Sequence, residues 1–248
     1  MTAAFPRLTL EKLAVWSAAN GYEMIEVACW PAVKGRQRRY AGVCHIDVDA
    51  LDVDRVHGVL ERTGLEISSL AYYPNNLHPN PVERRAANTH LKKVIDAAVK
   101  LDVPTVGTFV GKDPAKTIPD NFKEFRKVWP GLVDYAGNRG VSIAIENCPM
   151  LFSNDEWPGG LNLASTPATW DEMFSICDEP HFGLNLDPSH LVWQMIDHDR
   201  VVRDYASKLL HVHAKDMEVD REGLQRNGVL SAGMGWQIPR LPGLGEIR

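Results

Sequence analysis

The run Val-Ser-Ile-Ala-Ile-Glu-Asn-Cys (141–148) predicts a buried β-strand that ends in a carboxylate. Side chains of a strand alternate between its two faces, so Glu146 shares a face with Ser142 and Ala144 and lies opposite the aliphatic residues. The aliphatic face is suited to packing against helices. The face of small and polar residues is suited to the interior of a barrel, and it would place Glu146 at the rim.

Two later runs repeat this pattern, Gly-Leu-Asn-Leu-Asp-Pro-Ser-His (183–190) and Leu-His-Val-His-Ala-Lys-Asp (210–216). The alternation places Asp187 and His213 on the polar face near the end of each strand. His211 has the same parity as His213 but lies one pleat deeper, where a core role is expected. Three strands therefore end in side chains that bind divalent metals, which favours metal-assisted chemistry.

Strand-like and helical patterns alternate along the whole chain. Strands are predicted at 22–30, 65–73 and 105–110 and in the three runs above, and helices at 9–19, 50–62, 82–101, 120–139, from 166 and at 198–208. Short connections between such units imply parallel strands with the helices outside. Metal-binding groups at three different strand ends favour a (β/α)8 barrel over a doubly wound sheet. No linker is visible, so residues 1–248 are predicted to be a single domain.

Composition limits the classes of partner. The net charge is −5, which argues against nucleic acid. No apolar run approaches the ~20 residues of a membrane span, and the first residues lack a secretory pattern. The four cysteines are scattered without a CxxC pair, as in reduced thiols. We therefore expect a cytoplasmic protein with a small-molecule substrate and with neither nucleic-acid nor membrane partners.

Six motifs, in order along the chain, resemble those of a known superfamily. They are Phe5-Pro6, Gly21-Tyr22 with Ile25-Glu26, Ile145-Glu146-Asn147, Asn185–His190, His211–Asp216 and Pro242–Ile247. The set is similar to the xylose-isomerase-like TIM barrels, which include sugar-phosphate isomerases and epimerases, keto-sugar epimerases, inosose dehydratases and AP endonuclease family 2-like proteins such as endonuclease IV. The resemblance implies one divalent ion (manganese, zinc, cobalt or magnesium), bound by Glu146, Asp187, His213 and a further glutamate on strand eight.

The activity that this resemblance implies is isomerisation or epimerisation of a sugar or sugar phosphate in carbohydrate metabolism. Glu146 would move a proton next to a carbonyl, through a metal-stabilised enediolate. An inosose dehydratase-type lyase and a catalytically impaired remnant stay open as alternatives. DNA repair at abasic sites is opposed by the ligand set and by the negative net charge.

Substrate contacts are expected from polar and aromatic side chains near strand ends: His190, Lys215, Arg240, His78 and Trp30, with Trp157 and Trp236 as similar aromatic candidates. His190 and Arg240 match family positions near the substrate, and Lys215 would meet an anionic substrate or enediolate. Structural roles remain open for each of them, such as turn formation by His78 or core packing by the tryptophans. Glu26 is expected to be an internal ion-pair partner.

The ends of the motif set predict an incomplete barrel. Ala3–Phe5 is expected to be the tail of a clipped strand one, and strand eight with its helix is expected to be missing after Gly245. Glu246 would lie in a turn and is not expected to replace the fourth ligand. Unpaired strand edges favour association, so a homo-oligomer and impaired catalysis are both expected. The segment 217–244 is expected to form a lid or binding loop.

Overall fold

A single curled sheet of parallel strands organises the protein. The computed structural model describes residues 1–32, 41–151, 160–230 and 235–247. Six strands pair in chain order: β1 (Met24–Ala28), β2 (Glu66–Ala71), β3 (Thr105–Thr108), β4 (Ser142–Glu146), β5 (Phe182–Leu186) and β6 (Leu209–Val212). With their helices they form a half-barrel, which confirms the prediction of a truncated (β/α)8 barrel.

Helices connect the strands and begin where the sequence supplies caps. They are α1 (Leu10–Ala19), α2 (Val53–Thr63), α3 (Pro81–Lys100), α4 (Ile118–Gly137), α5 (Pro167–Ile176), α6 (Ser189–Val192), α7 (His198–Asp204) and α8 (Arg221–Asn227). Asp52 accepts the N–H of Arg55 at the start of α2, and α2 ends at Gly64 with a φ of 68°. In the described part of the chain, no helix has the length and apolar character needed to cross a membrane.

The core lies between the outer face of the sheet and the helices. Trp129 of α4 stacks on Phe125 with ring centroids 5.8 Å apart, and it contacts Phe182 of β5 at 5.6 Å. Ile143 and Ile145 of β4 are fully buried. The aliphatic face of each strand therefore packs on helices, as the strand parity predicts, and the polar residues are left for the interior.

The amino-terminal segment differs from the prediction. Residues Thr2–Ala4 form a 3₁₀ turn, so the expectation that Ala3–Phe5 is the tail of a strand is wrong. The Thr2 hydroxyl accepts the backbone N–H of Ala28 at 2.9 Å and lies 2.9 Å from His45 Nδ1. These side-chain contacts hold the segment against the end of β1 without a ladder of backbone hydrogen bonds.

The described residues after β6 form regular structure, so the expectation of an irregular loop over 217–244 is wrong for them, and the role of this segment as a lid or binding element stays a prediction. β7 (Asp216–Val219) pairs antiparallel with β8 (Gln237–Arg240), and α8 lies between them. Trp236 is buried in a small cluster with Met217 and Val219, where it makes an edge contact to Trp193 at 6.4 Å. Trp236 therefore packs in this small core and is not exposed for stacking on a sugar.

Asp216 holds this two-stranded sheet to the turn that follows it. Its carboxylate accepts the backbone N–H groups of Met217 (2.8 Å), Gly243 (3.0 Å), Gly245 (2.9 Å) and Ile247 (3.0 Å). A Cβ atom at Gly245 would lie 2.3 Å from Asp216 Oδ1, so this close approach requires glycine. The turn is thus built around one buried carboxylate.

Replacing Asp216 should therefore loosen the two-stranded sheet. Asp216→Asn removes the charge and turns an amide N–H₂ toward backbone donors. Because hydrogen bonds to charged groups contribute about 1.5–3 kcal/mol each, we expect the free energy of unfolding to fall by on the order of 2 kcal/mol. Urea unfolding and amide exchange at Val219 measure the effect. The control Glu218→Gln removes an exposed ion pair with Arg240 in the same sheet and should cost less than about 1 kcal/mol. Equal effects of the two substitutions would contradict this role.

Candidate active site

The predicted metal ligands meet at the carboxyl edge of the sheet. Glu146 ends β4, and its register partner on β5 is Asn185, two residues before Asp187. Asn185 in turn pairs with His211 of β6, two residues before His213. His213 Nδ1 lies 3.2 Å from Glu146 Oε1. Parallel register therefore brings together side chains that are far apart in sequence.

Asp187 is completely buried, and its position is fixed from two sides. Its N–H donates to Asn147 Oδ1 at 2.7 Å, and Asn147 Nδ2 donates to its carbonyl at 3.0 Å. Carboxylate oxygen Oδ1 accepts the hydroxyl and the N–H of Ser189 at 2.6 and 3.1 Å. Oδ2 accepts no well-directed hydrogen bond from the described residues. It faces the Lys215 ammonium and, at 3.3 Å, His190 Nε2.

This arrangement fits a divalent cation. Ligand atoms of Glu146, Asp187 and His190 lie within 4.8 Å of one another, and His213 adjoins them through Glu146. Oxygen and nitrogen donors without thiolate suit manganese, magnesium, cobalt or catalytic zinc. The donor set therefore agrees with a metal site, and in the metal-free protein the Lys215 ammonium compensates the charge at Asp187 Oδ2.

Lys215 supplies positive charge to both carboxylates. Its Nζ contacts Asp187 Oδ2 and lies 3.8 Å from Glu146 Oε1. Half of its side chain is exposed, so the ammonium can retreat toward solvent. Burial alone would lower the pKa of Lys215, but the two carboxylates raise it above its ordinary value. The prediction that Lys215 lies at the rim beside the ligands agrees with this geometry.

Behind His213 lies a second carboxylate, Glu26 of β1. His213 Nε2 is 2.8 Å from Glu26 Oε2, and the Tyr73 hydroxyl donates to Glu26 Oε1 at 2.5 Å. Asn185 Nδ2 donates to the Tyr73 oxygen at 2.8 Å. The prediction that Glu26 is an internal ion-pair partner is confirmed.

His211 lies deeper in the barrel, as its strand position predicts. Nδ1 is 3.0 Å from Asn185 Oδ1, and Nε2 is 3.1 Å from Ser68 Oγ. Burial lowers its pKa, which favours the neutral ring. Both ring nitrogens are occupied by protein partners, so His211 connects β6 to β5 and β2.

The buried charges shift one another's pKa values. Burial would raise the pKa of Glu26, but the charge and hydrogen bond of His213 outweigh it and lower the pKa to about 2. Burial would lower the pKa of His213, but Glu26 and Glu146 raise it to about 10. Without a metal ion, His213 is therefore an imidazolium between two carboxylates at neutral pH.

The pKa values of Asp187 and His190 are shifted by burial and by the charges around them. For Asp187, burial raises the pKa, and His190 and Lys215 more than offset it, so the carboxylate is ionised. For His190, burial dominates and lowers the pKa, although Asp187 acts in the opposite direction. A neutral imidazole at His190 can donate one hydrogen bond and accept another.

Three predicted substrate residues lie away from the ligand cluster. Arg240 is on β8, where its guanidinium binds Glu218 at 2.6 Å. His78 Nδ1 accepts the N–H of Asn80 within a turn. Trp30 is buried beside Tyr73, with ring centroids 6.1 Å apart. The structure gives these side chains ion-pair, turn and packing roles, and their contact with substrate stays a prediction. Trp157 lies outside the described residues.

A cavity of about 660 Å³ opens beside the cluster, between β1 and β6. Glu26, Glu146, His213 and Lys215 line its polar wall, and apolar residues such as Phe5 line the rest. A cavity of this size can hold a sugar-sized molecule.

Tyr73, Asn147 and Asn185 are functional neighbours that sequence reasoning did not assign. Asn185 shares the face of Asp187, which is the signal that could have found it. Asn147 directly follows Glu146 but acts through Asp187 of the next strand. Tyr73 carries no local signal, because its partner Glu26 lies 47 residues away.

Comparison with known proteins agrees with the fold. The family model described as the xylose isomerase-like TIM barrel matches residues 15–239. A probable 3-DHS dehydratase AsbF from Bacillus anthracis is similar in structure, with a TM-score of 0.67 and 17% identity over 96% of this chain and 81% of that chain. The IOLI protein, whose crystal structure has a bound zinc atom, is also similar in structure, with a TM-score of 0.64. Its sequence identity is 17%, and the match covers 88% of this chain and 71% of that chain.

Two further comparisons concern a structural neighbour and a curated relative. A D-tagatose 3-epimerase-like protein gives a TM-score of 0.64 and 20% identity over 84% of this chain and 72% of that chain. The uncharacterized protein YfiH of Bacillus subtilis (strain 168) is 45% identical over 103 residues, which are 41% of this chain. That match spans only 29% of the length of YfiH.

The Glu26–His213 pair should give the metal-free protein a distinct dependence of stability on pH. The pKa of Glu26 is lowered from 4.5, so its contribution is present above 4.5 and lost as the pH falls toward 2. The pKa of His213 is raised from 6.5, so its contribution is complete below 6.5 and lost as the pH rises toward 10. Urea unfolding in chelator should show a stability difference between wild type and His213→Gln that shrinks from pH 6.5 to 10. A constant difference over this range would contradict the assignment.

Proposed function

The chain belongs to the xylose isomerase-like TIM barrel family, and on this basis we propose that it is a divalent-metal-dependent isomerase or epimerase of a sugar or sugar phosphate. The observation that carries the proposal is the convergence of Glu146, Asp187 and His213 on one edge of the sheet, beside a sugar-sized cavity. Neighbours in structure include sugar isomerases and epimerases. A single domain over residues 1–248 and a cytoplasmic location stay predictions.

Glu146, Asp187 and His213 would hold the metal ion in this proposal. The ion supplies positive charge that stabilises the enediolate formed when a proton leaves the carbon next to a carbonyl. The zinc atom in the structure of the IOLI protein, a neighbour in structure, supports a metal ion in a protein of this fold. The proposal includes manganese, zinc, cobalt and magnesium as candidate ions.

The protein's own side chains would move the proton and orient the sugar. Glu146 is the base, because it is a nearly buried carboxylate on the cavity wall. The neutral imidazole of His190 can hydrogen-bond a substrate hydroxyl. Lys215 lies on the cavity wall with a half-exposed side chain, where its ammonium can face a phosphate or a developing oxyanion.

A lyase of the dehydratase type is the second candidate. Lys215 Nζ lies 3.8 Å from Glu146 Oε1, so an acid and a base face the same cavity. Such a pair could remove a proton and protonate a departing hydroxyl. The similarity to a probable dehydratase supports this alternative.

Incubation of the metal-loaded protein with ketoses and ketose phosphates in D₂O tests the proposal. We expect deuterium at the carbon next to the carbonyl and a product of otherwise unchanged composition, because the proton exchanges with solvent at the base. Glu146→Gln should abolish both signals. NMR and mass spectrometry of the product measure the outcome. Loss of water from the product would favour the lyase, and no turnover across the panel would contradict the isomerase and favour the catalytically impaired remnant.

Metal content of variants tests the ligand assignment. Glu146→Gln and Asp187→Asn replace an anionic oxygen donor by a neutral amide, and His213→Gln replaces the imidazole nitrogen, each with a side chain of similar size. We expect each to weaken zinc binding by more than the roughly 10–100-fold that the loss of an outer partner costs. Metal analysis and chelator competition measure this. Full occupancy in all three variants would refute the site.

His190→Ala serves as the comparison variant for the same measurement. Because we assign His190 to substrate, it should keep close to one metal ion per chain while KM rises or kcat falls. His57→Ala, a substitution on α2 outside the sheet, should alter neither. An empty metal site in His190→Ala would show that the roles are assigned wrongly.

A further inference from the structure

The two ring nitrogens of His213 face different carboxylates. Nε2 lies 2.8 Å from Glu26 Oε2, and Nδ1 lies 3.2 Å from Glu146 Oε1. Each nitrogen has one in-plane direction, so the contact with Glu26 fixes where Nδ1 points. We propose that Glu26 is a positioning residue that holds the Nε2–H of His213 and so presents the Nδ1 lone pair to a divalent ion held with Glu146 and Asp187. This inference rests on the proposed function.

Glu26 is itself held in place on its other oxygen. The Tyr73 hydroxyl donates to Oε1 at 2.5 Å, and Asn185 Nδ2 donates to the Tyr73 oxygen at 2.8 Å. Gly107 of β3 makes room for this contact, because a Cβ atom there would lie 2.2 Å from the Tyr73 oxygen and 3.1 Å from Glu26 Oε1. Three residues, Tyr73, Asn185 and Gly107, therefore serve the orientation of one carboxylate.

A second metal ion at Glu26, His211 and His213 is the competing interpretation. Ligand atoms of these three residues also lie within 4.8 Å of one another. Their atoms are already engaged, however, since His211 contacts Asn185 and Ser68 through its two nitrogens. Glu26 likewise uses both oxygens. Glu146 and Asp187, by contrast, face Lys215, whose half-exposed side chain can move away.

The chemistry of such a pair explains why an enzyme would keep a buried carboxylate there. A carboxylate that accepts the second N–H of a ligating histidine fixes the tautomer and the ring orientation and makes the donor nitrogen more basic. Loss of such a partner costs roughly 10–100-fold in metal affinity. In the metal-free protein the same contact compensates the charge of buried His213.

Zinc affinity of Glu26→Gln tests the role of Glu26. The variant keeps the size of the side chain and removes its charge, so zinc binding should weaken by about 10–100-fold in chelator competition. Tyr73→Phe keeps the carboxylate and loses one hydrogen bond, and it should show a smaller loss. Glu23→Gln is the matched control, because Glu23 is an exposed carboxylate just before β1. Its zinc affinity should equal that of the wild type.

Proton NMR of the metal-free protein provides a readout that does not depend on zinc. A hydrogen bond to a carboxylate should give the His213 Nε2–H a strongly deshielded resonance in wild type and Glu23→Gln. This resonance should be lost or moved upfield in Glu26→Gln, and circular dichroism confirms that each variant is folded. The number of zinc ions bound per chain should be one, and two would favour the competing interpretation.

The possible outcomes separate this inference from the proposed function. Tight zinc binding by the wild type with unchanged affinity in Glu26→Gln would overturn the positioning role alone. No zinc binding by the wild type would refute the proposed function, and the role of Glu26 toward a metal would fall with it. Absence of the deshielded resonance from the wild type would refute the Glu26–His213 hydrogen bond itself.

Discussion

The contact between Glu26 and His213 crosses the interior of the open sheet. The two residues are 187 positions apart in the chain. Glu26 is on β1 and His213 directly follows β6, and these are the two outer strands of the six-stranded sheet. A closed barrel joins its first and last strands through backbone hydrogen bonds. Among the described residues, β1 and β6 are not paired in this way. Side chains make the connection here, with Ser68 and His211 forming a second crossing one layer below.

These polar crossings set geometry more than they add stability. Removing two charges from water costs several kcal/mol per ion, and mutual attraction in the interior largely offsets that cost. The favourable free energy of folding comes from the outer face of the sheet, where Trp129 and its neighbours pack. Once that packing has fixed the strands, the buried carboxylates and histidines have few positions in which each finds a partner. This limitation keeps the candidate ligands together at one edge.

The sequence allowed the sheet to be predicted because its information is local. Alternation in short strands identified the faces of Glu146, Asp187 and His213, and parallel register follows from the strand–helix repetition. The amino-terminal turn was not predictable from the sequence, since it depends on one Thr2 hydroxyl and a backbone N–H 26 residues away. The β7–β8 pair depends on Asp216, whose N–H partners include residues up to 31 positions later. No local pattern contains such separations.

The residues that contact the candidate site could not be predicted from the sequence for the same reason. Tyr73, two residues after the end of β2, contacts Glu26 of β1, and Arg240 contacts Glu218 across an antiparallel pair that the sequence pattern did not indicate. Arg240 matches a family position, and in this structure its guanidinium is paired with Glu218. A motif indicates which chemistry a position permits, and only the fold shows which neighbour satisfies it.

Charge balance finally links Lys215 to the candidate metal ligands. In the metal-free site, three carboxylates, Glu26, Glu146 and Asp187, face the two cations of His213 and Lys215. A divalent ion bound between Glu146 and Asp187 would displace the proton from His213 Nδ1, because that nitrogen cannot hold both. It would also repel the Lys215 ammonium from the two carboxylates. Since half of the Lys215 side chain is exposed, the ammonium would move toward the cavity, where a substrate oxyanion or phosphate would be its next partner.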